Sequence, residues 1–337
     1  MGSFPKLSVR LHGGMTPSQC VEQAIAAEAA GMHGVWFAEN PFNRGTLPAA
    51  AACAVATRTL QIGAGVFNPY NRHPTLIAME IGALDELAGG RARLGIGSGI
   101  GFAIERMGFS YGKPLTTLRE AIVIVRALLR GEEVTHASTA FNVNKVKLDY
   151  KARADIQIFM AGRGDRSLEA CGELADGLIV SNMVTAGFAA KAVKVVHDAA
   201  RAAGRAMLPE VVQYVPCIAR PDREEAHLLA KQAVAEILPT YWTLGQRLPA
   251  AKNALLEGSN ISEADFAGAV SRLKAGEPAA AVLDERYVRA FSIAGNADDC
   301  RALAASYAAA SVTELALTFS GPAAAADMNY MAQAVAS

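Results

Sequence analysis

Residues 60–101, LQIGAGVFNPYNRHPTLIAMEIGALDELAGGRARLGIGSGIG, decide the fold. They hold two short apolar runs, residues 62–67 and 92–96, separated by a helix-length segment, residues 73–87. Two strands that point the same way need a crossover of this length between them, so the stretch reads as strand–helix–strand. The loops that follow the strands, residues 68–73 and 97–101, then open on one side of a sheet. In parallel α/β folds that side binds ligands.

The same alternation continues in both directions. Upstream, residues 7–11 and 34–38 read as strands that end at His12-Gly13-Gly14 and Glu39-Asn40-Pro41. Between them Thr16-Pro17 starts a helix as an N-cap followed by proline in the first turn, and Gly31 stops it. A further helix covers residues 48–56. Downstream, residues 116–129 form an amphipathic helix, and residues 141–148 alternate as an extra strand or hairpin. Strands follow at 156–160, 177–180, 211–218 and 312–319, with helices at 167–174 and 187–203. The connection between the last two strands is a long helical insert, residues 224–310, containing Tyr241-Trp242 and a segment, 257–276, that reads as mobile.

Eight strands alternating with helices predict an α/β fold, a (β/α)8 TIM barrel with a helical insertion between strands seven and eight, as one domain over residues 1–337. The alternative is a doubly wound open sheet. That would need a domain break, and no linker rich in Pro, Gly or Ser supplies one.

Composition narrows the function. Of 337 residues, 52% are hydrophobic and 19% charged, and Lys+Arg and Asp+Glu balance at 32 each. A neutral chain gives no electrostatic case for nucleic acid or an anionic membrane. No run reaches the length of a membrane span. Cys20, Cys53, Cys171, Cys217 and Cys300 are scattered and odd in number, which suits a reducing cytosol and inert thiols. Met1-Gly2-Ser3 reads in part as an expression remnant, and the N-terminal region lacks a charged-then-apolar leader. The expectation is a cytoplasmic protein.

In a barrel the loops after the strands share one mouth. Here they bring His12, Glu39-Asn40, residues 68–73, residues 98–105, Arg163, Ser181-Asn182 and Ser320 together. Only His12 and His73 are candidate imidazole ligands, so a metal centre is not expected. Gly97-Ser98-Gly99 lacks the spacing of a nucleophile elbow. An organic cofactor that carries the chemistry fits this set better. Ala161-Gly162-Arg163-Gly164 and Gly97-Ser98-Gly99 can present backbone N–H groups, and Arg163 a fork of donors, to a phosphate, although glycines after barrel strands also serve simply as turns.

Gly65-Val66-Phe67-Asn68-Pro69-Tyr70-Asn71-Arg72-His73-Pro74, Glu80, Asp85-Glu86-Leu87, Gly89-Gly90-Arg91 and Leu94-Gly95-Ile96-Gly97-Ser98-Gly99 resemble, in order and spacing, the bacterial-luciferase-like superfamily, and within it coenzyme F420-dependent methylenetetrahydromethanopterin reductases. The resemblance implies an oxidoreductase that transfers hydride between F420 or FMN and a small organic substrate, with tetrahydropterin-like compounds among the candidates, and a homodimer. An FMNH2-dependent monooxygenase served by a flavin reductase partner, and a non-catalytic barrel, are the alternatives.

By the same resemblance, Gly162, Arg163 and Gly164 hold the cofactor's phosphate, and a non-proline cis peptide at Gly65-Val66 backs its ring. His12, Asn68, Gly97, Ser98, Gly99 and Asn182 complete the expected cofactor site, and no metal is implied. Glu80 and Asp85-Glu86 have structural or interface roles, and the small-residue faces of residues 49–56 and 77–84 suit close packing on the barrel or in a dimer. Asn68-Pro69 is also a turn former, and His73 at a helix start can be a cap as readily as a site residue.

The chain departs from these relatives in its acids. Glu39-Asn40 stands where many have Asp-His. Arg10 stands where the pterin reductases carry an acid in the first strand, and Ile100 where they carry an aspartate. Glu39, Asn40 and Glu105 are the remaining catalytic candidates, with a helix cap, or a salt bridge from Glu39 or Glu105 to Arg44 or Arg106, as the structural alternatives.

Overall fold

A computed structural model describes residues 4–336; residues 1–3, and the outer ends of the expected 1–337 domain, lie outside the described residues. The chain runs β1 (Lys6–His12), α1 (Pro17–Ala29), β2 (Gly34–Ala38), α2 (Thr46–Ala56), β3 (Gln61–Phe67), α3 (Pro74–Leu87), β4 (Ala92–Gly97), α4 (Gly101–Arg106) and α5 (Pro114–Leu129). Then follow β5 (Val134–Ala137), β6 (Asn142–Val146), β7 (Ile158–Ala161), α6 (Asp165–Leu174), β8 (Gly177–Val180), α7 (Ala186–Ala202) and β9 (Glu210–Ala219). The last third holds α8 (Arg223–Arg247), α9 (Pro249–Leu256), α10 (Glu263–Lys274), α11 (Ala279–Val282), α12 (Glu285–Phe291), β10 (Ile293–Gly295), α13 (Ala297–Ala309), β11 (Glu314–Thr318) and α14 (Ala324–Ala336).

The strands β1, β2, β3, β4, β7, β8, β9 and β11 pair in that order, all parallel, and β11 returns to β1. The ring is closed, so the barrel is the architecture and the open-sheet alternative falls away. Residues that alternate outward, such as Val9, Leu11, Ile62 and Leu94, are fully buried under the helices. Inward-facing Trp36, Phe159, Ile179, Val212, Tyr214 and Ala316 pack the barrel's own interior. Alternation on a two-residue period separates these two cores.

Local chemistry sets the boundaries. Thr16 and Gln19 form a capping box at α1, with proline in the first turn. His73 caps α3 by accepting from the Thr75 N–H at 3.3 Å, and its ring meets Phe141 edge-on at 5.5 Å, so its capping role is the one adopted. Asp85 is buried, accepts from the Ala92 N–H at 3.0 Å and pairs with Arg153 at 2.9 Å. This acid ties α3 to β4 and to the chain before β7.

Several expectations are revised. The extra strand is the second half of an antiparallel hairpin whose first half, β5, was not read from the sequence. The insert is not wholly helical, because β10 pairs with the end of β9. It is also shorter than residues 224–310, since α13 packs against α7 and α14 as an ordinary outer helix of the barrel. The segment 257–276 is not loose: Ser262 and Asp265 form a capping box, and α10 buries Phe266 against Trp242. All five cysteines are buried and unpaired, and burial pushes Cys53, Cys171 and Cys300 to about 12, which keeps them as thiols. No helix among the described residues is long and apolar enough to cross a membrane.

Candidate active site at the barrel mouth

The most distinctive feature of the mouth is at the end of β3. The Gly65–Val66 peptide is cis, and the register between β3 and β4 shifts across Ala64 and Phe67. Gly65 has φ +127°, a region L side chains rarely enter, and a Cβ there would strike the Gly95 carbonyl. The bulge turns Val66 into the barrel. A Cβ at Gly95 or Gly97 would lie 3.1 Å from a Val66 methyl carbon, so these two glycines form the floor on which the valine rests. Asn68 follows as a turn builder, its Oδ1 accepting from the N–H groups of Tyr70 at 3.2 Å and Asn71 at 3.1 Å.

Across β4 and β7 the loops are glycine-rich for steric reasons. Gly99 lies against Asn68, and a Cβ on Gly162 would sit 2.9 Å from that of Ser167. Gly164 is the N-cap of α6 and offers no side-chain cap, which leaves the Asp165 and Arg166 N–H groups at the start of a ten-residue helix without an internal partner, Ser167 N–H donating to the Gly164 carbonyl at 2.8 Å. Arg163 donates to the Asn182 carbonyl at 3.0 Å and stacks 5.1 Å over the Tyr241 ring. Tyr241 in turn meets the Ser181 hydroxyl at 3.1 Å. The Asn182 side chain is 6% exposed, with its Oδ1 buried and unpartnered. A cradle that a Cβ would fill, a helix N-terminus and a guanidinium held in place fit the phosphate of a cofactor.

The acid candidates are placed unevenly. Glu39 is at the mouth but accepts both of its short contacts, 3.1 and 2.9 Å, from Arg72 Nη1. Arg72 Nε also faces Glu80 at 2.8 Å, and its guanidinium stacks 4.2 Å over Phe67. Burial and the nearby Glu39 raise Glu80 more than Arg72 lowers it. The partner of Glu39 is therefore Arg72, not Arg44, which donates to the Gly13 and Gly14 carbonyls, nor Arg106, which stacks on Phe42. Asn40 and Glu105 are exposed, Glu105 on the short α4. Ser98 accepts from the Tyr111 hydroxyl at 3.3 Å, and Tyr111 pairs with Tyr70 at 5.2 Å between centroids.

His12 accepts from the Gly14 N–H through Nδ1 at 3.2 Å, an assignment that leaves the proton of the neutral ring on Nε2. Burial, then the charge of Arg10, lower its pKa, so it is neutral near pH 7. The structure thus gathers His12, Glu39, Gly65, Val66, Asn68, Gly97, Ser98, Gly99, Gly162, Arg163, Gly164 and Asn182 on the loops and strand ends of one rim. Tyr111, Tyr214 and the unpaired state of Arg10 were not read from the sequence, and Arg72 entered only as part of the 68–73 loop, without its partners. The adjacent aromatics of the insert separate: Tyr241 reaches the mouth, whereas Trp242 stacks on Phe266 at 5.4 Å within the insert's own core.

A closed parallel barrel whose C-terminal rim carries a bulged strand, glycine-rich loops and a neutral histidine has its ligand-binding face at that rim. The chain belongs to the luciferase-like monooxygenase family, which it matches over residues 3–314. It is 33% identical over 282 residues to the 5,10-methylenetetrahydromethanopterin reductase of Methanolobus tindarius, covering 83% of each chain. The enzyme of that name from Archaeoglobus fulgidus is 32% identical over 279 residues, covering 81% of each. Among solved structures, coenzyme F420-dependent tetrahydromethanopterin reductase from Methanopyrus kandleri superposes with a TM-score of 0.86, 99% coverage of both chains and 23% identity. At that identity the superposition speaks for the fold alone.

Proposed function

We propose that this oxidoreductase of the luciferase-like family binds F420 and transfers hydride between it and a small organic substrate. The observation that carries the reading is the Val66 bulge on its Gly95–Gly97 floor, an apolar face at the mouth with the phosphate cradle beside it on the neighbouring strand β7. The similarity to the F420-dependent glucose-6-phosphate dehydrogenase of Beutenbergia cavernae, 29% identical over 178 residues, supports the choice of F420 over FMN. When bound, F420 supplies a ring carbon that gives or takes a hydride.

The chain's own residues supply position and charge. Gly162, Arg163 and Gly164 hold the phosphate, while Tyr241 and the Asn182 carbonyl fix the Arg163 fork. Val66 would back one face of the cofactor ring and leave the other to substrate, the alignment hydride transfer requires. His12 keeps a proton on Nε2 at the rim, available to an atom that gains charge. Glu39 holds Arg72, which also pairs with Glu80, and with it the loop after β3, so its contribution to the reaction is positioning. The same reading includes a homodimer through α2 and α3, whose outer faces leave Val55, Leu76, Met79 and Leu87 exposed; sedimentation equilibrium tests it, with a monomer as the contrary result.

Titration of the purified protein with F420 and with FMN, followed by cofactor fluorescence, tests the cofactor. Saturable F420 binding with none for FMN is the expected result. FMN binding alone would turn the reading to flavin chemistry, and binding of neither would leave a barrel without redox function.

A further inference from the structure

The interior of the barrel holds a cation that the fold leaves without a counter-ion. Arg10 points inward from β1, in the register that pairs Val9 with Leu317. Its Nη1 donates to the Thr318 hydroxyl at 3.4 Å, and its guanidinium lies 5.3 Å over the Tyr214 ring. The small Ala316 on β11, between the strands that carry the two residues, leaves room for that crossing. Among the described residues no carboxylate forms an ion pair with Arg10, its Nε is buried without a hydrogen-bond partner, and its Nη2 makes no hydrogen bond. Tyr214, only 5% exposed, also keeps its hydroxyl without a partner. Burial raises that phenol well beyond the neutral range, so it is a donor.

Arg10 is half-buried: its Nε is buried without a partner while Nη2 reaches the mouth, and a buried unpaired donor on a charged group, with a phenol donor beside it, is costly until an acceptor meets them. The free Nε–Nη2 edge has the side-on geometry that a carboxylate accepts with both oxygens. The cofactor's phosphate does not answer this demand on the reading above. It belongs to the loop after β7, and β7 is the strand opposite β1 in the ring of eight. We infer that the substrate carries a carboxylate, which Arg10 engages side-on with Tyr214 as a second donor, and that this contact selects and orients it. The inference rests on the proposed use of the barrel mouth as a substrate site, and its test on the apo protein is separate from that of the cofactor.

Benzoate is the probe, with benzamide as its uncharged counterpart of the same shape. Benzoate should raise the unfolding temperature of the cofactor-free protein, and benzamide should not. Arg10→Met should itself raise the unfolding temperature by a few degrees, because it removes an uncompensated charge, and should abolish the benzoate shift. Arg10→Lys should retain a smaller shift. Equal responses to both probes, or a benzoate shift that persists in Arg10→Met, would overturn the inference. So would a more than tenfold loss of F420 affinity in Arg10→Met, since the anion would then be the cofactor's. If the wild-type protein fails to bind F420 yet shows the Arg10-dependent benzoate shift, the cofactor reading fails and the carboxylate site stands.

Discussion

Two arginines point into the same barrel and are treated differently. Arg93, near the N-terminal end of β4, donates from both terminal nitrogens to Glu314, at 2.7 and 2.9 Å, and stacks 4.6 Å over Trp36. Trp36 Nε1 also donates to Glu314 at 2.8 Å. Arg10, nearer the mouth, has only a long hydroxyl contact and an aromatic face. Each arginine leaves its Nε without a partner, so the difference is the counter-ion: the floor gives Arg93 a buried carboxylate, as a stability layer must, and the mouth gives Arg10 none.

The largest effect expected from this contrast is on stability. Arg93→Met leaves Glu314 as a buried, unpaired carboxylate and should cost about 3–5 kcal/mol in denaturant unfolding, whereas Arg10→Met should not destabilise at all. Equal losses in the two variants would erase the distinction between floor and mouth.

Acid sharpens the same contrast. Burial raises Glu314, but the charge and hydrogen bonds of Arg93 outweigh it, so its folded pKa lies below the unfolded value. Its stabilisation is therefore complete above the unfolded carboxyl value of about 4.3 and is lost as pH falls through the lower folded value. Stability measured across that interval should fall more steeply in the wild type than in Glu314→Gln.

Within the mouth, Gly65→Ala is the next most severe change. It puts a Cβ against the Gly95 carbonyl at φ +127°, a strain of about 1–3 kcal/mol by the usual cost of such backbone states, and should abolish cofactor binding while circular dichroism still reports a folded barrel. Glu39→Gln removes half of a partly buried pair and should cost about 1 kcal/mol or less in thermal unfolding. The smallest effect is local. Because Arg10 helps hold His12 low, Arg10→Met should raise the His12 titration point, read by NMR of its ring protons.

The parts of the site that were legible in the sequence are those carried by backbone shape. Gly65, Gly97, Gly99 and Gly162 occur at strand ends, where close approach leaves little or no room for a Cβ, and this requirement leaves a mark at a single position. Partnerships are different. Glu39 could be paired with any nearby arginine, and only the turn built by Asn68 brings Arg72 to it. That Arg10 lacks a partner depends on β9 and β11, whose relevant residues, Tyr214 and Thr318, are more than two hundred positions away. The insert shows the same division. Its helices were readable, but β10 is too short, at three residues, to show a period, and exists only because β9 extends past the barrel to meet it. Tyr241 and Trp242 are neighbours in sequence, and only the direction of α8 sends one to the mouth and the other to the insert core.

The most direct test of the account is the structure of the protein in complex with F420. The deazaflavin ring should lie on Val66, the phosphate should contact the backbone of Gly162–Gly164, and the Nε–Nη2 edge of Arg10 should remain free. A phosphate paired with Arg10, or a ring seated away from Val66, would contradict it.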